Sequence, residues 1–216
     1  MIDVREAIRT SGAVRAFTDD VVEDAVLHDI FDDARFAPSG GNRQPWRVVV
    51  VRDTAIRTEM GGLMRPIWDE YVGANAAGGT AFAFGRSIDA PPIAAPNGLL
   101  DAIATVPVVL AIAADLHRIA LMDGNLDRPA VTGGASIYPF CWSILLSARA
   151  HGLGGVMTTF LSRAEPAAAP LLGLPPDHAL AATIMLGHPV HQPTKLSRRP
   201  VDDFTTVDRF YGEAFR

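Results

Sequence analysis

The nine residues from Val106 to Ala114, Val-Pro-Val-Val-Leu-Ala-Ile-Ala-Ala, are apolar without alternation. A half-exposed strand alternates apolar and polar positions, so this run reads as a strand covered on both faces. It falls well short of the roughly 20 residues that a membrane-spanning helix needs. A chain built around such a strand must supply cover for both of its faces.

The rest of the chain supplies it. Trp46 to Val51 is β-branched and too short for a helix, and reads as a second central strand. Val156 to Phe160 and Ala179 to Leu186 complete the set, the last ended by Gly187-His188-Pro189. Asp3-Val4-Arg5-Glu6 has the spacing of a capping box and starts a short helix that Ser11-Gly12 ends. From Glu23, the positions Val26, Leu27, Ile30, Phe31 and Ala34 predict a helix with one buried face, stopped by Pro38. Ile137, Phe140, Cys141, Ile144, Leu145 and Ala148 predict a deeply buried helix from about Gly134 to Ala150, with Gly152 at its end. Ser162-Arg163-Ala164-Glu165 repeats the capping-box spacing and predicts another short helix. Between the first two strands, Gly78-Gly79 and the proline-rich run from Asp89 to Gly98 exclude a long helix. That stretch reads as a helix plus an excursion, a candidate lid. At 216 residues the chain is expected to be one domain, a helix-covered sheet of the α/β or α+β class whose strand directions stay open.

Several chemistries are excluded. With 19 basic against 24 acidic side chains, the net charge of −5 gives no field for nucleic acid or an anionic membrane, so a phosphorylated ligand needs a local basic pocket. The first residues carry both charge signs and lack the apolar run of a signal peptide. The single cysteine, Cys141, rules out an internal disulfide and a cysteine-based zinc site, and the expected location is the cytoplasm. Between Phe140 and Trp142, that thiol is expected to be buried, with a raised pKa and no nucleophilic role. His188 and His191 flank a proline-broken turn and are expected to bind no metal. Gly152-Leu153-Gly154-Gly155 lacks the third glycine of a dinucleotide fingerprint, and no Gly-Lys-Ser/Thr phosphate loop exists. Gly134-Ala135-Ser136-Ile137-Tyr138 has tyrosine where a hydrolase nucleophile elbow needs glycine.

What remains is the loop Ala37-Pro38-Ser39-Gly40-Gly41-Asn42-Arg43-Gln44-Pro45-Trp46, between a helix end and a strand start. Its glycines allow close backbone approach, Asn42 and Gln44 offer donors and acceptors, and Trp46 can anchor the strand, which together suit a planar polar ligand. The loop resembles the Ser/Ala-Pro-Ser-x-x-Asn-x-Gln-Pro-Trp signature of the nitroreductase family. Arg15-Ala16-Phe17 resembles that family's Arg/Lys-x-Phe element, and Gly152-Leu153-Gly154 its helix-ending Gly-Leu-Gly. Leu186-Gly187-His188-Pro189 resembles its Gly-Tyr/His-Pro, and Ser197-Arg198-Arg199-Pro200 its closing basic-Pro element. The stretch from Gly61 to Gly98 matches no family motif.

The resemblance implies an α+β fold with a mostly antiparallel sheet covered by helices. It also implies an intertwined homodimer with two FMN molecules at the interface, and NADH or NADPH as electron donor. Arg15, with Arg198 or Arg199 from the tail at 195–216, would bind the flavin phosphate, since guanidinium matches phosphate oxygens in geometry and charge. Pro38, Ser39, Asn42 and Gln44 would belong to the flavin site, Ser39 and Asn42 reaching the flavin of the other subunit, and Thr158 and Thr159 would lie near the flavin ring. The family's usual Arg-x-Ser is missing, with Ser11 and Ala13 at those positions. Either Arg9 reaches in through a bulged loop or Arg198 and Arg199 compensate, and the second is favoured. The implied reaction is ping-pong: hydride passes from NAD(P)H to flavin and two electrons then pass to an electron-poor acceptor, a nitroaromatic or quinone. It requires no catalytic side chain and no metal. Flavin sequestration without turnover, reductive dehalogenation and oxygen-dependent flavin fragmentation are the alternatives, the last two set by residues between Gly61 and Gly98.

Overall fold

The computed structural model describes residues 2–215. Four strands, β1 (Trp46–Val51), β2 (Val108–Asp115), β3 (Gly154–Thr158) and β4 (His178–Gly187), form one sheet in the order β1-β2-β4-β3, with every neighbouring pair antiparallel. Seven helices surround it: α1 (Val4–Thr10), α2 (Asp24–Ala34), α3 (Thr54–Ala76), α4 (Gly98–Asp101), α5 (Tyr138–Ala150), α6 (Phe160–Arg163) and α7 (Glu165–Leu172). The architecture is α+β, as expected. Among the described residues no helix is long and apolar enough to cross a membrane.

The unbroken apolar run explains itself in β2. Val108, Leu110, Ile112 and Ala114 pack with Leu27, Ile30 and Ala34 of α2 and Phe140, Ile144 and Ala148 of α5. Val109 and Ala111 point the other way, into a second core with Met60 and Met64 of α3, Leu161 and Ala168. Each residue therefore buries its side chain on one face or the other, which a strand of period two achieves only when both faces are covered.

Several local expectations change. Strand β1 is an edge, its residues alternating between half-buried and exposed up to Val51, so the β-branched run reflects strand propensity and not central burial. The longest helix, α3, occupies 23 residues where a long helix was excluded. Asp53 caps it, accepting from the amides of Ala55 and Ile56 at 2.8 and 3.0 Å, and Pro66 is accommodated in its interior. The segment 61–98 thus divides into the second half of α3 and an irregular strap, with Gly78 at φ 80° just past the helix end. Thr159 and Phe160 leave the strand: Thr159 stands just before α6, making no side-chain cap to it, and Phe160 begins it. Ser162 lies inside α6, so no capping box forms there, and Glu165 instead accepts from the amide of Leu180 at 2.5 Å, pinning α7 to β4. Helix α2 ends at Ala34, ahead of Pro38. The helix expected from Gly134 starts with a 3-10 turn over Thr132–Ser136 before α5.

Candidate functional site

Residues 13–17 run as an extended segment clamped between the start of β3 and the exit of β4. The amide of Val14 donates to the carbonyl of Gly155 at 3.0 Å, that of Thr18 to His188 at 2.9 Å, and that of Val190 to Ala16 at 3.1 Å. Gly154 permits this approach, since a Cβ there would lie 2.6 Å from Val14 Cγ2 and 2.9 Å from Val14 Cβ. Arg15-Ala16-Phe17, Gly152-Leu153-Gly154 and Gly187-His188-Pro189, far apart in the chain, meet here because the sheet order places β3 beside β4.

Two chambers open beside this segment. The larger, about 780 Å³, is walled by Arg15, Thr158, Trp68, Tyr71, Phe160 and the strap residues Pro96 to Leu100. Its aromatic wall is ordered, with Trp68 5.9 Å from Tyr71 and 6.0 Å edge-on from Phe160. The strap is fastened to α3, since the carbonyl of Ala95 accepts from Trp68 Nε1 at 3.0 Å and Arg65 at 3.1 Å, and the amide of Ile93 donates to the carbonyl of Asp69 at 3.0 Å. The smaller chamber, about 270 Å³, is lined by Ser11, Arg15, Trp142, Arg149, Gln192 and Arg198 among others. Ala13, Arg15, Val156 and Met157 border both, so the two adjoin.

No carboxylate lines the smaller chamber. Arg15, Arg149 and Arg198 make it the local basic pocket that this acidic chain requires for a phosphorylated ligand. Arg149 was not foreseen. Its helix presents Trp142, Leu145 and Arg149 to the chamber at spacings of three and four, while Cys141, Ile144 and Ala148 face the core. That second stripe is the signal that marks Arg149. Burial among the core residues pushes the Cys141 thiol up to about 12, which leaves it without a nucleophilic role.

Other expected residues lie elsewhere. Thr158 walls the larger chamber, whereas Thr159 is exposed and lines neither. Arg199 and Arg9 line a separate open groove that Arg198 also borders, so Arg9 does not enter the smaller chamber. In the loop, Ser39 Oγ accepts from the amide of Gln44 at 3.0 Å, Gln44 Nε2 donates to Asn42 Oδ1 at 3.1 Å, and the amide of Gly40 donates to Ser136 Oγ at 3.0 Å. Pro38 precedes this network and is exposed. Asn42 and Gln44 sit at φ 52° and 48°, a left-handed conformation costing roughly 1–2 kcal/mol per non-glycine residue. Trp46 stacks on Phe140 at 4.6 Å and anchors the loop's exit. Asn42 and Gln44 line a small hollow of their own, with Arg43 and Arg118. Within one chain, then, Arg15, Thr158 and Arg198 come together and the 38–44 loop does not join them. Among the described residues no cluster of three metal-ligating side chains exists.

Known proteins match this arrangement along nearly its whole length. A curated relative from Thermus thermophilus, NADH dehydrogenase, is 28% identical over 213 residues, covering 94% of each chain. A 5,6-dimethylbenzimidazole synthase from Rhodobacter capsulatus is 31% identical over 186 residues, covering 85% of this chain and 82% of its own. Among solved structures, the NADPH:FMN oxidoreductase from Vibrio harveyi, complexed with NAD+, superposes with a TM-score of 0.70 at 20% identity, over 95% of this chain and 77% of that one. Fold and relatives together define the class, an NAD(P)H-dependent oxidoreductase. Within it, the chain belongs to the Nitroreductase family, whose model matches residues 8–188.

Proposed function

We propose that the chain is an FMN-dependent enzyme that moves electrons from NADH or NADPH to an electron-poor small molecule of the nitroaromatic or quinone kind, and that it works as a homodimer. The observation that carries this reading is the pair of adjoining chambers, one lined by arginines and the other by aromatic side chains. The residues present fit the cofactor: the smaller chamber combines three guanidinium groups with a buried, partnerless Arg149 Nε and Gln192 Oε1, and the larger has room for a planar ring system.

FMN held there would supply two-electron chemistry between the nicotinamide donor and the acceptor, in ping-pong order. Arg15 and Arg198 would neutralise the phosphate, while Arg199, next on the tail, faces the separate groove. Thr158 lies at the ring end of the cavity. Trp68, Tyr71 and Phe160 exclude water there and favour flat, apolar acceptors. Pro38, Ser39, Asn42 and Gln44 reach the flavin of a second copy, which accounts for their distance from Arg15 in their own chain. No side chain is needed as acid or base.

Purified protein is expected to be yellow, to release FMN on denaturation and to oxidise NADH or NADPH when a nitroaromatic or quinone is added. Colourless protein with no affinity for FMN would end this reading. The 31% identity to a 5,6-dimethylbenzimidazole synthase favours one second reading, flavin fragmentation with oxygen. Incubating reduced FMN with the protein in air and following the flavin by chromatography separates the two: a cofactor survives many turnovers, and a substrate disappears.

A further inference from the structure

We propose that Arg149 is a phosphate-binding arginine of the FMN site, making good the family arginine that is missing from the 11–13 segment. The inference rests on the flavin reading above and deepens it.

Where the family carries that arginine, Ser11 Oγ instead donates to Ala7 O at 2.7 Å, and next to it a Cβ on Gly12 would lie 2.7 Å from Pro193 Cβ and 2.9 Å from Leu196 Cδ2, so the tail packs directly on this backbone. Positive charge must then enter the chamber from another wall. Helix α5 provides it: Arg149 stands in the last turn, on the stripe with Trp142 and Leu145 that faces the chamber.

Arg149 Nε is sealed from solvent without a hydrogen-bond partner, and among the described residues the side chain makes no ion pair. A buried donor left so costs about 1–3 kcal/mol, and Arg15 and Arg198 add like charge on the same chamber. An anion relieves both penalties. A second orphan refines the ligand's chemistry. Gln192 is held by its Nε2, which donates to Thr10 O at 2.9 Å and Pro193 O at 3.4 Å, and its buried Oε1 has no partner. The dianion of a phosphate monoester has no O–H to donate to that oxygen, but an alcohol beside the phosphate can donate. The chamber therefore suits the phosphate monoester of a polyol, such as the ribityl phosphate end of FMN.

The test compares FMN with riboflavin, which lacks only the phosphate, on full-length apoprotein by flavin fluorescence quenching. Arg149→Met is expected to weaken FMN binding about 10- to 100-fold, the range for loss of charge-assisted hydrogen bonds, and to leave riboflavin affinity unchanged. Arg149→Lys keeps the charge without the planar fork and is expected to recover part of the loss. Circular dichroism melts establish that each variant is folded. If Arg149→Met does not fold, Arg149→Lys decides alone, through a lowered FMN-to-riboflavin affinity ratio. An unchanged ratio, or an equal loss for both flavins, overturns the role of Arg149 and leaves the flavin site standing. Wild-type protein that binds neither flavin overturns the flavin reading and this inference together.

Discussion

Arg57 is the other arginine whose surroundings decide its role, in the opposite direction. It is 9% exposed, and its guanidinium donates to Val51 O at 2.7 Å, Val106 O at 2.8 Å and Ala104 O at 3.3 Å. These bonds tie the end of β1 and the approach to β2 onto α3. With every near partner a backbone carbonyl, Arg57 is structural. Arg57→Met leaves buried carbonyls without donors and is expected to lower unfolding stability by roughly 2–4 kcal/mol. Urea denaturation measures this, and a change under 1 kcal/mol would contradict the assignment. The contrast with Arg149 shows where single residues are legible. Arg15 could be read from its motif because its sequence neighbours Ser11 to Ala13 line the same chamber, whereas Arg198 enters it from a tail whose other residues line the separate groove. Arg149 sits in an apolar helix pattern that reads as core, and only the packing of α5 reveals that the helix has a second working face. Asn42 and Gln44 were legible as residue types, but their positive φ values were not, since neither is glycine.

At the scale of elements, hydrophobic spacing predicted the positions of β1, β2, β4, α2 and α5 to within a few residues, because each buries a stripe whose period the sequence carries. It underestimated the length of α3: the stretch reads as a helix plus an excursion, and the helix runs 23 residues before Gly78-Gly79, held by burial of Met60, Met64 and Ile67. The connection from β2 to α5 shows a different kind of order, built on one carboxylate. Asp123 accepts from Thr132 Oγ1 at 2.5 Å, from the amides of Val131 and Thr132 at 2.9 and 3.2 Å, and from Arg128 Nη1 at 2.6 Å. The Thr132 hydroxyl, the Val131 amide and Arg128 hold its carboxyl well below the usual carboxylate range. A depressed folded-state pKa means that the stabilisation is complete above the ordinary value of 3.8 and declines as pH falls from there toward the folded value. Hydrogen exchange of the Val131 and Thr132 amides is therefore expected to stay protected at pH 5 and to speed up about tenfold or more in Asp123→Ala. In the wild type, protection should fade only below the ordinary carboxylate range. Because Ser136 of the same connection accepts from the amide of Gly40, loosening it should also disturb the 38–44 loop.

The whole molecule exposes more than a folded monomer of its size needs to. A compact 23.0 kDa protein presents about 9,600 Å² to solvent, whereas this chain presents 13059 Å². The excess is roughly 3,400 Å² per chain, or roughly 6,900 Å² for two chains, which is above the approximately 2,000–5,000 Å² total that obligate dimers commonly bury. The chain's most exposed large apolar side chains lie in the C-terminal tail, where Phe210 is 85% and Tyr211 95% exposed, and on the β2–α5 connection, where Met122 is 80% exposed, with others such as Phe36 and Phe84 elsewhere. Both surfaces are expected to meet a second copy, and light scattering should give twice the 23.0 kDa of one chain. Mixed dimers test the stronger claim, that the 38–44 loop serves the partner's cavity. Asn42→Ala breaks the loop and leaves its own cavity whole, and Arg15→Ala together with Arg198→Ala does the reverse. Each variant alone should bind FMN weakly. Unfolded together and refolded, half of randomly assorted dimers would be mixed, and each would hold one site built from a wild-type cavity and a wild-type loop. The mixture should then recover about a quarter of the wild-type tight FMN sites. If the loop acted within its own chain, mixing would restore nothing, because every cavity would keep a defect in the same polypeptide.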